Sequence, residues 1–318
     1  MTIQELKEQV LSEKEISKAD ALTLVTADLE ELQAAADEIR KAFCGDHFDM
    51  CAVLSVRGGR CSENCKFCSQ SSCSSARVPQ FATLDTNAVR TDAVAHAHTG
   101  ISHYCQVASG RKVSGRELDQ VCDNVRAIVA TTDLIPCVSL GLLTIEDLRK
   151  LQAAGVKRIH NNLETSRRYF PHVCTSHTYE EKLSVIRAAC DLGFELCSGG
   201  IFGIGETWED RIDLALEIRP YHPTSVPINL LHPVAGTPMG DYPIIKEAEL
   251  ARIIAIFRFL LPTSYIRLAA GRNYLEDTGI SCFRGGSNAS ITGDMVTVRG
   301  VSVREDLKNI EAIGYHLR

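Results

Sequence analysis

No stretch of about 18 uninterrupted apolar residues, the least that a membrane-crossing helix requires, occurs in the 318 residues. The polar start Met1-Thr2-Ile3-Gln4-Glu5-Leu6-Lys7 also lacks the basic and apolar regions of a secretory signal. A cytoplasmic protein with no membrane partner is expected. Positive charge is scarce as well: 34 Lys and Arg stand against 40 Asp and Glu, for a formal net charge of −6 and a pI near 5.9. With no local basic run, a nucleic-acid surface is excluded and a small-molecule substrate is favoured. Gly/Ser-rich and Pro-rich linkers are missing, and so is any internal repeat. The pair Gly203-x-Gly205 lacks the spacing and the downstream acid of a dinucleotide fingerprint.

Cysteine, by contrast, is plentiful at thirteen residues. An odd number of thiols, unevenly spaced in a long chain without an export signal, argues against a disulfide framework and for metal ligation. Three of them form the compact run Cys61-x3-Cys65-x2-Cys68, within Arg60-Cys61-Ser62-Glu63-Asn64-Cys65-Lys66-Phe67-Cys68. Soft thiolates select iron–sulfur clusters or zinc. A zinc knuckle is the plainer reading, but zinc is usually marked by a second Cys or His pair, and none stands near. A four-iron cluster normally takes four cysteines, so three leave one iron open to a chelating cofactor such as S-adenosylmethionine.

Residues 1–50 read as an N-terminal helical extension. Ser17 caps a helix starting at Lys18, and Leu29, Leu32, Ala36, Ile39 and Phe43 recur at helical spacing. This segment carries five basic and twelve acidic side chains, most simply a solvated face. From residue 52 short apolar runs alternate with amphipathic ones, the pattern of βα units. The expected strands are Ala52–Val56, His103–Ala108, Leu134–Leu140, Arg158–Glu164, Phe194–Ile201, Ser225–Leu231, Tyr265–Ala269 and Ala289–Thr292. Helices are expected at Gly115–Ala130, Thr144–Ala154, Tyr179–Leu192, Glu209–Ile218 and Ala248–Leu261. Eight such strands over residues 51–318 predict an α/β protein, a (β/α)8 TIM-type barrel with its site at the carboxyl ends of the strands.

Cys105, Cys137 and Cys197 fall in three different expected strands. Side chains alternate in and out along a barrel strand, so one thiol from each is within reach of the others inside. Arg267, in the seventh strand, needs an anionic partner there, either a cluster or an acid, because a lone buried charge is costly. Each thiol taken singly is also consistent with ordinary packing. Among the remaining cysteines, Cys44, Cys51, Cys73, Cys122, Cys174, Cys190 and Cys282, the pair Cys122 and Cys190 reads as helix packing. Cys73 is close enough to the triple-cysteine run to be an extra ligand.

From about residue 50 to the end, the chain resembles the biotin synthase family of radical S-adenosylmethionine enzymes. The resemblance rests on Cys68-Ser69-Gln70-Ser71 after the cluster run, on His160-Asn161-Asn162-Leu163-Glu164-Thr165-Ser166, and on Cys197-Ser198-Gly199-Gly200-Ile201-Phe202-Gly203-Ile204-Gly205-Glu206-Thr207. It continues in Ser225-Val226-Pro227-Ile228-Asn229-Leu230 and in Pro262-Thr263-Ser264-Tyr265-Ile266-Arg267-Leu268-Ala269-Ala270-Gly271-Arg272. The triple-cysteine run alone identifies only the superfamily.

The resemblance implies that Cys61, Cys65 and Cys68 hold a [4Fe–4S] cluster whose open iron chelates S-adenosylmethionine. It implies an auxiliary iron–sulfur cluster, [2Fe–2S] or a larger sulfide-rich form, at Cys105, Cys137, Cys197 and Arg267. The 5′-deoxyadenosyl radical would then take hydrogen from dethiobiotin, and auxiliary-cluster sulfide would close the ring to biotin; the clusters, not a side-chain acid or base, carry the chemistry. Asn162, Glu164, Gly199 and Gly200 are implied at the cofactor, and His160, Asn162 and Asn229 at the substrate. The family usually has Asn-His-Asn where this chain has His160-Asn161-Asn162, so His160 replaces a substrate-contacting amide. A flavodoxin- or ferredoxin-type electron donor and a homodimer are also implied. A hydrogenase maturase or methylornithine synthase would share the barrel and the cluster loop without needing the strand thiols. A non-catalytic iron–sulfur or zinc-binding protein would bind metal without cleaving S-adenosylmethionine.

Overall fold

The computed structural model describes residues 1–296 and 300–317. Its strands are β1 (His47–Arg57), β2 (His103–Ala108), β3 (Ile135–Ser139), β4 (Arg158–His160), β5 (Glu195–Cys197), β6 (Gly200–Phe202), β7 (Ser225–Leu230), β8 (Tyr265–Leu268), β9 (Ala289–Ile291) and β10 (His316–Leu317). The helices are α1 (Ile3–Leu11), α2 (Lys18–Thr23), α3 (Leu29–Cys44), α4 (Thr86–Ala97), α5 (Gly115–Thr131), α6 (Ile145–Ala154), α7 (Phe170–Val173), α8 (Tyr179–Asp191), α9 (Trp208–Ile218), α10 (Glu247–Leu260), α11 (Ile280–Arg284) and α12 (Val303–Ala312).

Every strand pairing is parallel, and β9 returns to β1 through Asp49↔Ala289, closing the sheet. Both β5 and β6 pair with β7, so together they make one interrupted stave, and the barrel has eight. β10 lies outside this count, beside the start of β1 through His47↔His316. This is the expected (β/α)8 barrel.

Local chemistry fixes where the helices begin. Capping boxes start α6 at Thr144 with Asp147, α8 at Thr178 with Glu181 and α9 at Thr207 with Asp210, each satisfying amides that the first turn leaves unpaired. Helix α6 ends at Gly155, whose φ of 110° suits glycine. The apolar core lies between strands and helices: Val138, Ile159, Leu196, Val226 and Ile266 face outward onto residues such as Leu148, Leu151, Ile186, Ile212 and Ile253. Among the N-terminal helices, α3 packs on α10 and α2 on α9.

Two expected strands came out differently. The fourth stops at His160 because the chain beyond it turns toward the break in the next stave: Asn161 N donates to Cys197 O at 3.0 Å, and Leu163 N and Glu164 N to Gly199 O at 3.1 and 3.2 Å. The fifth divides into β5 and β6 around Ser198 and Gly199.

Candidate functional site

The inward side chains form three tiers. The deepest is ionic. Asp49 on β1 is fully buried and accepts from Arg267 Nη2 at 2.7 Å and from His103 Nδ1 at 2.9 Å. Arg158 stands 3.5 Å from Asp49 and bonds Glu195 at 2.7 Å. Burial opposes ionisation of Asp49, but Arg267, His103 and Arg158 hold its carboxyl far below the usual range. The anionic partner required by Arg267 is therefore a side chain. The guanidinium also donates to Ser225 Oγ at 2.9 Å, Asp49 O at 3.1 Å and Ser290 O at 2.7 Å, so Nε, Nη1 and Nη2 all have protein acceptors.

Above this tier lie thiols. Cys105 and Cys137 are register partners on β2 and β3, and with Cys51 of β1 they form a compact buried group. Cys197 of β5 is buried and couples electrostatically to Cys105 and Cys137. Burial raises Cys51 well above the ordinary thiol value and pushes Cys197 up to about 11. Cys105 shares a hydrogen bond with Cys137 that raises the first and lowers the second. Cys51 was left unassigned on sequence, although Asp49 two residues before it shows which face of the strand turns inward.

The third tier is a cavity of about 320 Å³ at the carboxyl ends of the strands. Val53 and Val107 pack on the thiols and line this cavity, which is therefore contiguous with them. His160, Asn162, Glu164 and Asn229 all line it, as do Phe67, Cys68 and Gln70 of the cluster loop. His160, half-buried at the cavity wall but surrounded by protein and near the Lys182 ammonium, is depressed by desolvation to about 4 and is neutral at pH 7. Burial raises the Glu164 carboxyl despite Lys182 at 3.7 Å, and its Oε2 is buried without a hydrogen-bond partner. Asn162 Oδ1 accepts from Gly199 N at 3.0 Å, and its side chain also hydrogen-bonds Glu164 and His160, tying the three cavity-wall residues together. The Asn229 amide bridges Gly200 O at 3.0 Å and Ala270 N at 3.2 Å. Gly199 and Gly200 lie against protein backbone: a Cβ there would fall 2.1 Å from Pro227 O and 2.4 Å from Glu164 O.

The cluster loop is held from both ends. Cys61 N donates to Gln70 O at 2.7 Å and Lys66 N to Val173 O at 3.0 Å. Within it, the buried Glu63 carboxylate accepts from Ser176 Oγ at 2.8 Å and Arg111 at 3.2 Å, and lies 2.5 Å from His177 Nδ1. Burial pushes the Cys68 thiol up to about 11, and the hydrogen bond to Cys174, followed by burial, raises Cys65. A metal displaces such protons on binding. Cys73 is exposed and contacts Ser71 Oγ at 3.2 Å.

Among the described residues, one trio of metal-ligating atoms lies within 4.8 Å of one another, Cys65, Cys174 and His177. Neither Cys61, Cys65 and Cys68 nor any three of the strand thiols form such a trio. Both sets are too widely spaced for a single ion and have the donor chemistry of a polynuclear iron–sulfur centre.

Comparison with known proteins agrees with this geometry. Residues 55–218 match the radical SAM superfamily, and residues 227–316 match the biotin and thiamin synthesis associated domain. A biotin synthase of Brachyspira hyodysenteriae is 45% identical over 317 residues, covering 100% of this chain and 95% of that protein. One from Alkaliphilus metalliredigens is 42% identical over 318 residues and all of both chains. The crystal structure of a methylornithine synthase superposes with a TM-score of 0.85 at 17% identity, covering 98% of this chain and 97% of that one. At that identity the likeness concerns the fold.

Proposed function

The chain belongs to the biotin synthase family of radical S-adenosylmethionine enzymes, and on that premise we propose that it forms biotin from dethiobiotin in the cavity above the strand thiols. The observation that carries the reading is the buried set Cys51, Cys105, Cys137 and Cys197, directly beneath a cavity whose wall includes Cys68 of the cluster loop. When bound, the loop cluster with S-adenosylmethionine supplies hydrogen abstraction and the auxiliary cluster supplies sulfur.

Cys61, Cys65 and Cys68 hold the first cluster. Cys105, Cys137 and Cys197 hold the second, with Cys51 as the fourth thiolate, since Arg267 already donates from all three nitrogens to protein acceptors. Arg267 acts by charge instead: its cation adjoins Cys51 and Cys197 and offsets the negative charge of bound thiolates. A four-thiolate set suits either a [2Fe–2S] or a larger cluster.

Neutral His160 offers one donor and one acceptor to the uncharged ureido ring of dethiobiotin. Asn162 orients His160 and Glu164 through its side chain, and Asn229, from β7, ties the rims of β6 and β8 together. Glu164, with its unpartnered oxygen, is the acceptor for the cofactor. Gly199 and Gly200 serve the cofactor indirectly: Gly200 lets the backbone of Glu164 close up, and Gly199 lets β7 close up at Pro227. The electron comes from a flavodoxin- or ferredoxin-type donor, and the chain works as a cytoplasmic homodimer. Among the described residues no helix is long and apolar enough to cross a membrane.

Anaerobic turnover with reductant, S-adenosylmethionine and dethiobiotin tests the assignment by mass spectrometry. About two 5′-deoxyadenosine molecules per biotin are expected, one for each hydrogen removed. Adenosyl cleavage without biotin would reject the substrate, and no cleavage at all would return the chain to the class of metal-binding carriers.

A further inference from the structure

We propose that Cys65, Cys174 and His177 form a second metal site, which takes one tetrahedral divalent ion of the zinc or ferrous class before the loop cluster is built. Cys174 Sγ lies 3.7 Å from Cys65 Sγ and 3.3 Å from His177 Nδ1. A tetrahedral zinc ion with sulfur at about 2.3 Å and nitrogen at about 2.0 Å sets sulfur pairs about 3.8 Å apart and sulfur–nitrogen pairs about 3.5 Å apart. Both separations from Cys174 match such a shell, and all three ligand atoms lie within 4.8 Å of one another.

Cys174 belongs to the apolar core and His177 meets the edge of Phe170, but packing alone does not account for their polar contacts. Cys174 is 2% exposed, yet its sulfur is surrounded by polar atoms, with Asn64 Oδ1 at 3.3 Å. His177 is buried, and its Nε2 has no hydrogen-bond partner. Glu63 hydrogen-bonds Nδ1 at 2.5 Å, and an ion taken at Nδ1 replaces the proton of that bond. Two thiols, an imidazole and a neighbouring carboxylate are the donors that soft and borderline divalent ions select.

Sharing Cys65 makes the two occupancies mutually exclusive. A ferrous ion captured here stands at a loop thiol before sulfide arrives, whereas zinc blocks the loop. The inference stands whether or not dethiobiotin is the substrate.

The test uses the full-length, cluster-free chain under anaerobic conditions, with Co²⁺ as the probe. In a Cys61→Ser/Cys68→Ser/Cys105→Ser/Cys137→Ser background, which leaves a single loop thiol besides the site and only two strand thiols, one equivalent should bind with the intense visible bands of tetrahedral thiolate cobalt. Adding Cys174→Ser should abolish those bands, and His177→Gln should weaken binding by at least about tenfold and shift them, with circular dichroism verifying the fold of each variant. Zinc added to the wild-type chain should slow iron–sulfide cluster assembly, and Cys174→Ser should relieve that block. Cobalt bands that survive Cys174→Ser, bands that are absent from the background chain, or an equal zinc block in wild type and Cys174→Ser would each overturn the proposal.

Discussion

Cys65 and Cys197 are both thiols in one barrel, and their loss should separate two halves of the chemistry. Cys65→Ala removes a loop ligand and is expected to abolish 5′-deoxyadenosine formation. Cys197→Ala should leave part of that cleavage but stop biotin formation, and Cys51→Ser should resemble it; undiminished biotin from either variant would remove that residue from the auxiliary centre. His160 provides a pH handle. Its folded pKa lies near 4 against an unfolded value of 6.5. The unfolded chain therefore takes up the proton first, and the His160 contribution to stability, complete above 6.5, is lost as pH falls toward 4. Thermal unfolding of the cluster-free chain should show this loss, and His160→Gln should flatten it. Several of the expected site residues are neighbours in space: Cys68, His160, Asn162, Glu164 and Asn229 line one cavity, and Cys105, Cys137 and Cys197 are buried beneath it. Cys51 was missed because the expected first strand began at Ala52, whereas β1 starts at His47 and carries the thiol inward. Cys174 was missed because its sulfur partner is 109 residues away.

At the scale of elements, helices with a local start signal were the most legible: Thr144, Thr178 and Thr207 each precede their helix, and α5, α6, α8, α9 and α10 lie within a residue of expectation. Thr178→Ala removes the bond to Glu181 N and should cost about 1 kcal/mol, visible as a lower Tm by calorimetry with activity retained. The strands of the staves were also recognised. The break between β5 and β6 was not, because Leu196–Ile201 is a continuous run of apolar and small residues, and contact with the chain at 161–164 divides it. Gly200, where a Cβ would meet Glu164 O, permits that contact, and Gly199 permits the matching approach of β7. Gly199→Ala sets a methyl 2.1 Å from Pro227 O, a backbone atom that cannot rotate away, so Tm and biotin formation should both fall. A variant as stable and active as wild type would mean that the two strands can separate at no cost.

For the whole molecule, the ionic tier ties together strands far apart in sequence. Asp49, His103, Arg158, Glu195 and Arg267 come from β1, β2, β4, β5 and β8, so this layer forms only when the barrel closes. Asp49→Ala leaves two buried guanidinium groups without their shared carboxylate and should cost about 3–5 kcal/mol, measured by denaturant titration of the cluster-free chain. That layer was only half legible: Arg267 was recognised as a cation in need of a counter-charge, but Asp49 is separated from it by 218 positions. The interrupted stave has a different consequence. Cys197 lies below the gap and Ile201, in the cavity wall, above it, so the gap is a natural seam between sulfur supply and substrate choice. Segments grafted above it would reshape what the enzyme accepts while leaving the machinery underneath in place.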